Sequence, residues 1–242
     1  MWEILERGAI DFLYRPGMRA PEAGGRIGGI DDDPGLFVVL APLRRQLFRR
    51  IVVGRKRLPD LPGERYWGYV DRVGRRAADV RDDLEVAHHE AATRGSRVQP
   101  TTRSGGDGVY ALFRHEDHAH LSYRLERPSQ AGEIQDDLGI DREASWIVAV
   151  KNPAATAPPG IGAPAPRAPR LPGSLHERFA GRRFVQADPA LLDCEGVELI
   201  LVAVGEALPV ELDVRLQPER EAQDTADVFA ELGGGQIPRA SV

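Results

Sequence analysis

One cysteine, Cys194, in 242 residues rules out an intramolecular disulfide and any zinc site built on cysteine, and it fits a reducing compartment. Long apolar runs are also missing. The longest, Leu36 to Leu40 and Leu199 to Val204, fall far short of the roughly 20 residues a membrane-crossing helix needs. The opening residues Met1-Trp-Glu-Ile-Leu-Glu-Arg7 have no basic stretch followed by an apolar one, so no secretory signal is read and the expected location is the cytoplasm, with no membrane partner. Positive charge is not in excess: the net charge is −5, which removes any whole-molecule attraction for nucleic acid or anionic lipid and leaves only local patches. Lysine is nearly absent, with Lys56 and Lys151 alone among the 32 basic residues. Internal repeats, sustained heptads, a glycine-rich nucleotide loop, a Gly-x-Ser-x-Gly elbow and a helical His-Glu-x-x-His are all lacking, so no motif names a reaction.

What is present is enough apolar residue, 42%, to bury a core. Ala9 to Tyr14, Leu36 to Leu40, Leu47 to Val53 and Tyr66 to Val73 read as strands separated by Gly/Pro/Asp turns, an antiparallel meander. Ala77, Val80, Leu84, Ala87 and Ala91 recur at helical spacing ahead of Gly95 and predict a long amphipathic helix over 77–94, with His88 and His89 on its polar side. Ser145 to Val150 is apolar without alternation and reads as a central, doubly covered strand. The expected fold class is therefore α+β: mainly antiparallel sheet of meander and hairpins, one long amphipathic helix and one or two short ones. The expected organisation is a single domain over 1–205 that includes a proline-rich strap at 152–174. A peripheral C-terminal segment, 206–242, carries a helix at 218–232.

Half of the six histidines fall within His115-Glu-Asp-His-Ala-His120, at the tip of a hairpin. With a loop of two or four residues, His115 lies opposite His118 and His120 joins them on one face, close enough for imidazole nitrogens to share a divalent ion such as zinc, with Glu116 or Asp117 as further ligand or base. With an odd loop the faces exchange, Phe113 pairs with Leu121, and the histidines become ordinary turn and strand residues. A Glu-Asp pair suits a two-residue turn poorly, since such turns favour Asn or Asp followed by Gly.

The second candidate is the basic run Arg44 to Arg57, with Arg55, Lys56 and Arg57 at its end and Tyr66, Trp67 and Tyr69 beyond it, a pattern that could hold phosphate or stack bases. The acidic total weighs against nucleic acid. Arg114 and Arg124 project from the hairpin as further anion contacts. Lys151, at the end of the Trp146 to Val150 strand, is a candidate amine nucleophile. Cys194 sits between Asp193 and Glu195, which raise a thiol's pKa and make it unreactive.

Arg7-Gly-Ala-Ile-Asp-Phe-Leu-Tyr-Arg-Pro16, Val53-Gly-Arg-Lys-Arg-Leu-Pro59, Gly108-Val-Tyr-Ala-Leu112 with His118-Ala-His-Leu-Ser-Tyr123, and Val150-Lys-Asn-Pro153 together resemble an uncharacterised family of bacterial proteins. The resemblance spans roughly Trp2 to Val204 and implies no activity, cofactor or catalytic residue. The leading expectation is an accessory module that binds a small-molecule ligand or a protein through the His/Arg hairpin face and the basic strands. A metal-dependent hydrolase using His115, His118 and His120 is the alternative, and nucleic-acid binding through Arg44 to Arg57 the third.

Overall fold

The computed structural model describes residues 2–16, 35–81, 84, 87–91, 95–99, 101–155 and 168–204. The middle of the proline-rich strap, most of the glycine-rich loop before Leu36, and the C-terminal segment with its helix expected over 218–232 lie outside the described residues.

Four strands follow one another as an antiparallel meander: β1 (Trp2–Tyr14), β2 (Leu36–Pro42), β3 (Phe48–Val53) and β4 (Arg65–Gly74). A separate two-stranded ribbon, β5 (Ala87–Ala91) and β6 (Gly95–Gln99), comes next. β7 (Arg103–His115) then pairs with the other side of β1, β8 (His118–Arg127) with β7, and β9 (Glu143–Lys151) with β8. After a three-residue strand β10 (Phe184–Gln186), β11 (Glu198–Ala203) inserts between β9 and β4. The ring β1-β2-β3-β4-β11-β9-β8-β7 is thereby closed. The helices are α1 (Glu133–Leu138), α2 (Gly173–Glu177) and α3 (Pro189–Leu192).

The α+β expectation is thus overturned: the chain forms a closed, eight-stranded antiparallel β-barrel, and among the described residues no helix exceeds six residues or is long and apolar enough to cross a membrane. In place of the long helix over 77–94 stands a single 3-10 turn, Ala77–Val80, with His88 and His89 in β5. Ala77, Val80 and Leu84 do share one buried face, packed on Phe37, Val39, Val52 and Tyr69 outside the barrel, so the spacing was real but a tight turn satisfies it. An α-helix would give the Val80 carbonyl to Leu84. Here Arg50 donates to it at 2.7 Å, and the Leu84 N–H goes to Arg81 instead.

Eight strands leave a lumen that side chains can fill. Ile10, Phe12, Leu36, Tyr110, Tyr123 and Trp146 fill it, all fully buried or nearly so. The polar atoms of these aromatics find partners: Trp146 Nε1 donates to Pro59 O at 2.9 Å and Tyr123 Oη to Asp141 O at 3.0 Å. One end of the lumen is covered by Leu58, whose N–H bonds the Leu138 carbonyl, and by Leu138 and Ile140 of the α1 region.

An ionic plug lies at the opposite end. Arg49, with no exposed side-chain surface, donates to both carboxylate oxygens of Glu6 (2.5 and 2.9 Å) and through Nε to Asp193 Oδ1 (2.8 Å). Tyr110 Oη reaches Glu6 at 2.6 Å, and Arg45 reaches Asp193 at 2.5 Å. Two carboxylates and two guanidiniums cancel, which is what allows charge to stay in so dry a place. The neighbouring Arg50 points the other way, pairing with Asp71 and lying 5.5 Å from the Phe37 ring centroid outside the barrel. The central arginines of the basic run are therefore internal struts and do not form a continuous solvent-facing stripe.

Outside the barrel, Asp11 stands directly opposite Asp107 in the β1–β7 ladder. Burial first, then the charge of Asp107, pushes the Asp11 carboxyl up to about 8, although Arg127 and Arg81 pull the other way. A carboxyl raised in the folded state holds a proton that the unfolded chain releases above the ordinary value of 3.8. Stability from this group is present below that value and is lost as pH rises toward 8. His120 acts with opposite sign. Burial, then His118 and His115, lower it from 6.5 to about 4, so stability falls as pH drops through that window. The two contributions oppose each other between about pH 4 and 6.5, so for these groups urea titrations should give a plateau there and a decline from 6.5 toward 8. Asp11→Asn should flatten the alkaline limb and exceed the parent by about 2 kcal/mol at pH 8; an unchanged limb would contradict this assignment.

Candidate functional site

β9 has strand neighbours on both sides, and on one of them the neighbour changes partway along. β8 accompanies β9 as far as the pair His120↔Ile147, and β10 takes over at Gln186↔Ala149. At the changeover the Ala187 N–H bonds the Val148 carbonyl at 3.0 Å. The wall is interrupted there by a cleft of ≈ 530 Å³ between the tip of the β7–β8 hairpin and the α2–β10–α3 segment. Its floor includes Ile147 and Ala149, half-buried side chains on the outer face of β9. The expected doubly covered strand is corrected accordingly: Trp146, Val148 and Val150 face the lumen, while the residues between them are left partly open.

Arg114 and His118 line the hairpin side of the cleft and Arg178, Arg182 and Gln186 the other. Arg114 pairs with Glu3 at 2.9 Å, and Arg178 with Asp188 Oδ2 at 2.5 Å. Asp188 Oδ1 meanwhile accepts the Ala190 and Leu191 N–H groups and caps α3. Arg182 has no carboxylate partner among the described residues; its guanidinium reaches only the Phe179 and Arg178 carbonyls, both at 3.4 Å. Two further polar atoms of lining residues, Arg114 Nε and Gln186 Oε1, are buried without a hydrogen-bond partner among the described residues. The cleft is thus basic, with an apolar floor and unspent hydrogen-bonding capacity.

Loop parity in the hairpin resolves to even. His115 pairs with His118, Phe113 with His120, and Glu116-Asp117 forms a two-residue turn with Glu116 at φ 55° in the left-handed region. His115, His118 and His120 therefore share the outer face. His120 is buried and stacks on Phe113 with ring centroids 5.3 Å apart, while the rings of His115 and His118 each stand 6.5 Å from it. Ligands of one zinc lie about 2 Å from the metal. Among the described residues no group of three His, Cys, Asp or Glu side chains is placed to hold a metal ion.

The other expected site residues are dispersed. Glu116 and Asp117 are exposed at the tip, Asp117 at the cleft's margin. Lys151 is paired with Glu198 at 2.8 Å. Arg55 lies over Tyr66 (5.0 Å), and Arg57 pairs with Asp60; with Lys56 they sit on the loop after β3, at the α1 end of the barrel. Arg124 is half-buried on β8, away from the cleft lining. Of the expected anion contacts only Arg114 reaches the cleft. Arg178, Arg182 and Gln186 were missed, and the available signal was the arginine cluster in His176-Glu-Arg-Phe-Ala-Gly-Arg-Arg183. The Cys194 thiol is raised by burial and by Asp193 and Asp188.

Comparison with family models, curated proteins and solved structures gave no match. The class is set by the fold and site alone: a closed antiparallel barrel with a filled lumen and a basic cleft in its wall.

Proposed function

We propose that this protein is a ligand-binding module whose cleft takes an anionic group, a phosphate or a carboxylate, with Arg114, Arg178 and Arg182 as its contacts. The observation that carries the reading is the convergence of these three guanidiniums on one cleft, with Arg182 lacking a carboxylate partner among the described residues. A planar guanidinium offers paired donors that match carboxylate and phosphate oxygens. The floor of Ile147 and Ala149 adds apolar contact beside the charge, the usual composition of a small-molecule or peptide site.

The test is titration of the full-length protein with inorganic phosphate, followed by calorimetry or by chemical shifts at the cleft. Binding should weaken as salt is raised. Arg178→Ala combined with Arg182→Ala should reduce affinity at least about tenfold, since a charge-assisted hydrogen bond contributes about 1.5–3 kcal/mol and tenfold corresponds to about 1.4. Binding unaffected by the double substitution would place the anion elsewhere.

A further inference from the structure

The wall of the cleft formed by β10 is also a strand edge, and the ladder shows which of its backbone groups face outward. The Asn152 N–H bonds the Arg183 carbonyl at 2.8 Å, and the Ala187 N–H bonds the Val148 carbonyl at 3.0 Å. These contacts bracket the pairs Phe184↔Lys151, Val185↔Val150 and Gln186↔Ala149. Antiparallel ladders alternate between residues that exchange both backbone bonds and residues that exchange none. Val185 therefore turns its N–H and carbonyl toward β9, and Phe184 and Gln186 turn theirs away. Within the described sheet β10 pairs with β9 alone.

The position of that edge, unpaired among the described residues, is specific. β8 and β10 lie in line along one side of β9, and β7 lies outside β8. The place outside β10 is consequently the continuation of the line of β7 beyond His115, where β7 ends and the hairpin turns back. An extended segment laid there would run beside Phe184 and Gln186, between Arg178 and Arg182 on one side and Arg114 and His118 on the other. Strand addition of this kind draws affinity from main-chain hydrogen bonds and specificity from the side chains that flank the added strand. Here three of the flanking groups are guanidiniums, against the carboxylates of Asp117 and of Asp188, the latter already paired with Arg178.

We infer that the cleft recognises an extended segment of a partner protein carrying Asp or Glu at alternate positions, which adds to β10 as a strand and sets its carboxylates against Arg114, Arg178 and Arg182. This rests on the anion-binding reading of the same cleft and specifies its ligand. The backbone groups of Phe184 and Gln186 fix the segment's register, and the arginines select its charge.

The probe is an acetylated, amidated heptapeptide, Val-Glu-Val-Glu-Val-Glu-Val, titrated into the full-length protein beside inorganic phosphate. Two analogues carry N-methyl groups on alternate amides, one in each phase, and a fourth peptide replaces Glu by Lys. The expected result is binding of the parent peptide that competes with phosphate. One N-methylated phase should lose affinity at least tenfold while the other keeps it, the Lys peptide should not bind, and Arg182→Glu should weaken the parent at least tenfold. Equal binding of both N-methylated analogues would overturn strand addition while leaving the anion site standing. Phosphate binding without peptide binding would overturn the peptide as ligand and leave the cleft as a small-anion site. Absence of both would overturn the two readings together.

Discussion

Arg49→Met should lower the unfolding free energy by about 3–5 kcal/mol, because removing one member of a buried ion network leaves the remaining charges dry and unpaired. The guanidinium has no exposed surface, and Glu6, with 6% of its side chain accessible, depends on it for both oxygens. Tyr110 and Arg45 are the remaining partners of that carboxylate, Arg45 only at 3.8 Å. For a chain of this size the loss corresponds to a fall in Tm of about 10 °C. Adding Glu6→Leu should restore at least about 1 kcal/mol, since removing both members of a buried pair is far less harmful than removing one. Denaturant titrations of parent, single and double variants check both statements. A loss under about 1 kcal/mol in Arg49→Met would mean that this end of the barrel is held by apolar packing alone.

Gly108→Ala is expected to be nearly as damaging, at about 3 kcal/mol. The cause is local: a Cβ there would lie 2.0 Å from the Arg124 carbonyl oxygen and 2.9 Å from Leu125 Cα. Both obstacles are backbone of the facing strand, beside the register shift at Asp107 and Gly108. Relief requires β8 to move, and β8 carries His118 and Ala119 to the margin of the cleft. Phosphate affinity should therefore fall along with stability. Gly173→Ala provides the control, because nothing lies within 4 Å of its added Cβ; it should be neutral by the same denaturant assay. Equal losses in the two variants would remove steric crowding as the explanation.

Strands were legible wherever the apolar pattern is local. Leu36–Pro42 and Phe48–Val53 appear where their apolar runs put them. Barrel closure was not legible, because it depends on β11 entering between β9 and β4, a pairing between residues as distant as Glu198 and Tyr69. The helix expected over 77–94 failed because a buried stripe at 77, 80 and 84 says which face is covered, not which backbone covers it. Arg49 and Arg50 read as part of a basic surface because their partners are remote: Glu6 is 43 residues away and Asp193 is 144. In the hairpin, both parities gave an acceptable apolar face, and Glu-Asp is a weak turn signal, so only tertiary pairing could decide between them. The cleft was half legible. Arg114 stood out, but Arg178 and Arg182 come from beyond the proline-rich stretch, and no local pattern tells where such a stretch delivers the chain.

β9 and β11 are antiparallel neighbours in the ring, and a turn of a few residues could have joined them. The chain instead leaves at Asn152 and returns at Val197, and within that stretch it supplies Arg178, Arg182, Gln186 and Asp188. The eight-stranded ring, which contributes Arg114, and the wall that contributes Arg178 and Arg182 are thus separate stretches of sequence. Substitution or replacement within one continuous insert can alter what is recognised while the ring's strand order persists, much as loops diversify on other rigid scaffolds. The exceptions are Leu175, Phe179, Val185 and Ala187, which belong to the barrel's own core cluster, and α3 with Asp193, which also close the lumen; these positions would have to be retained for the scaffold to tolerate the exchange.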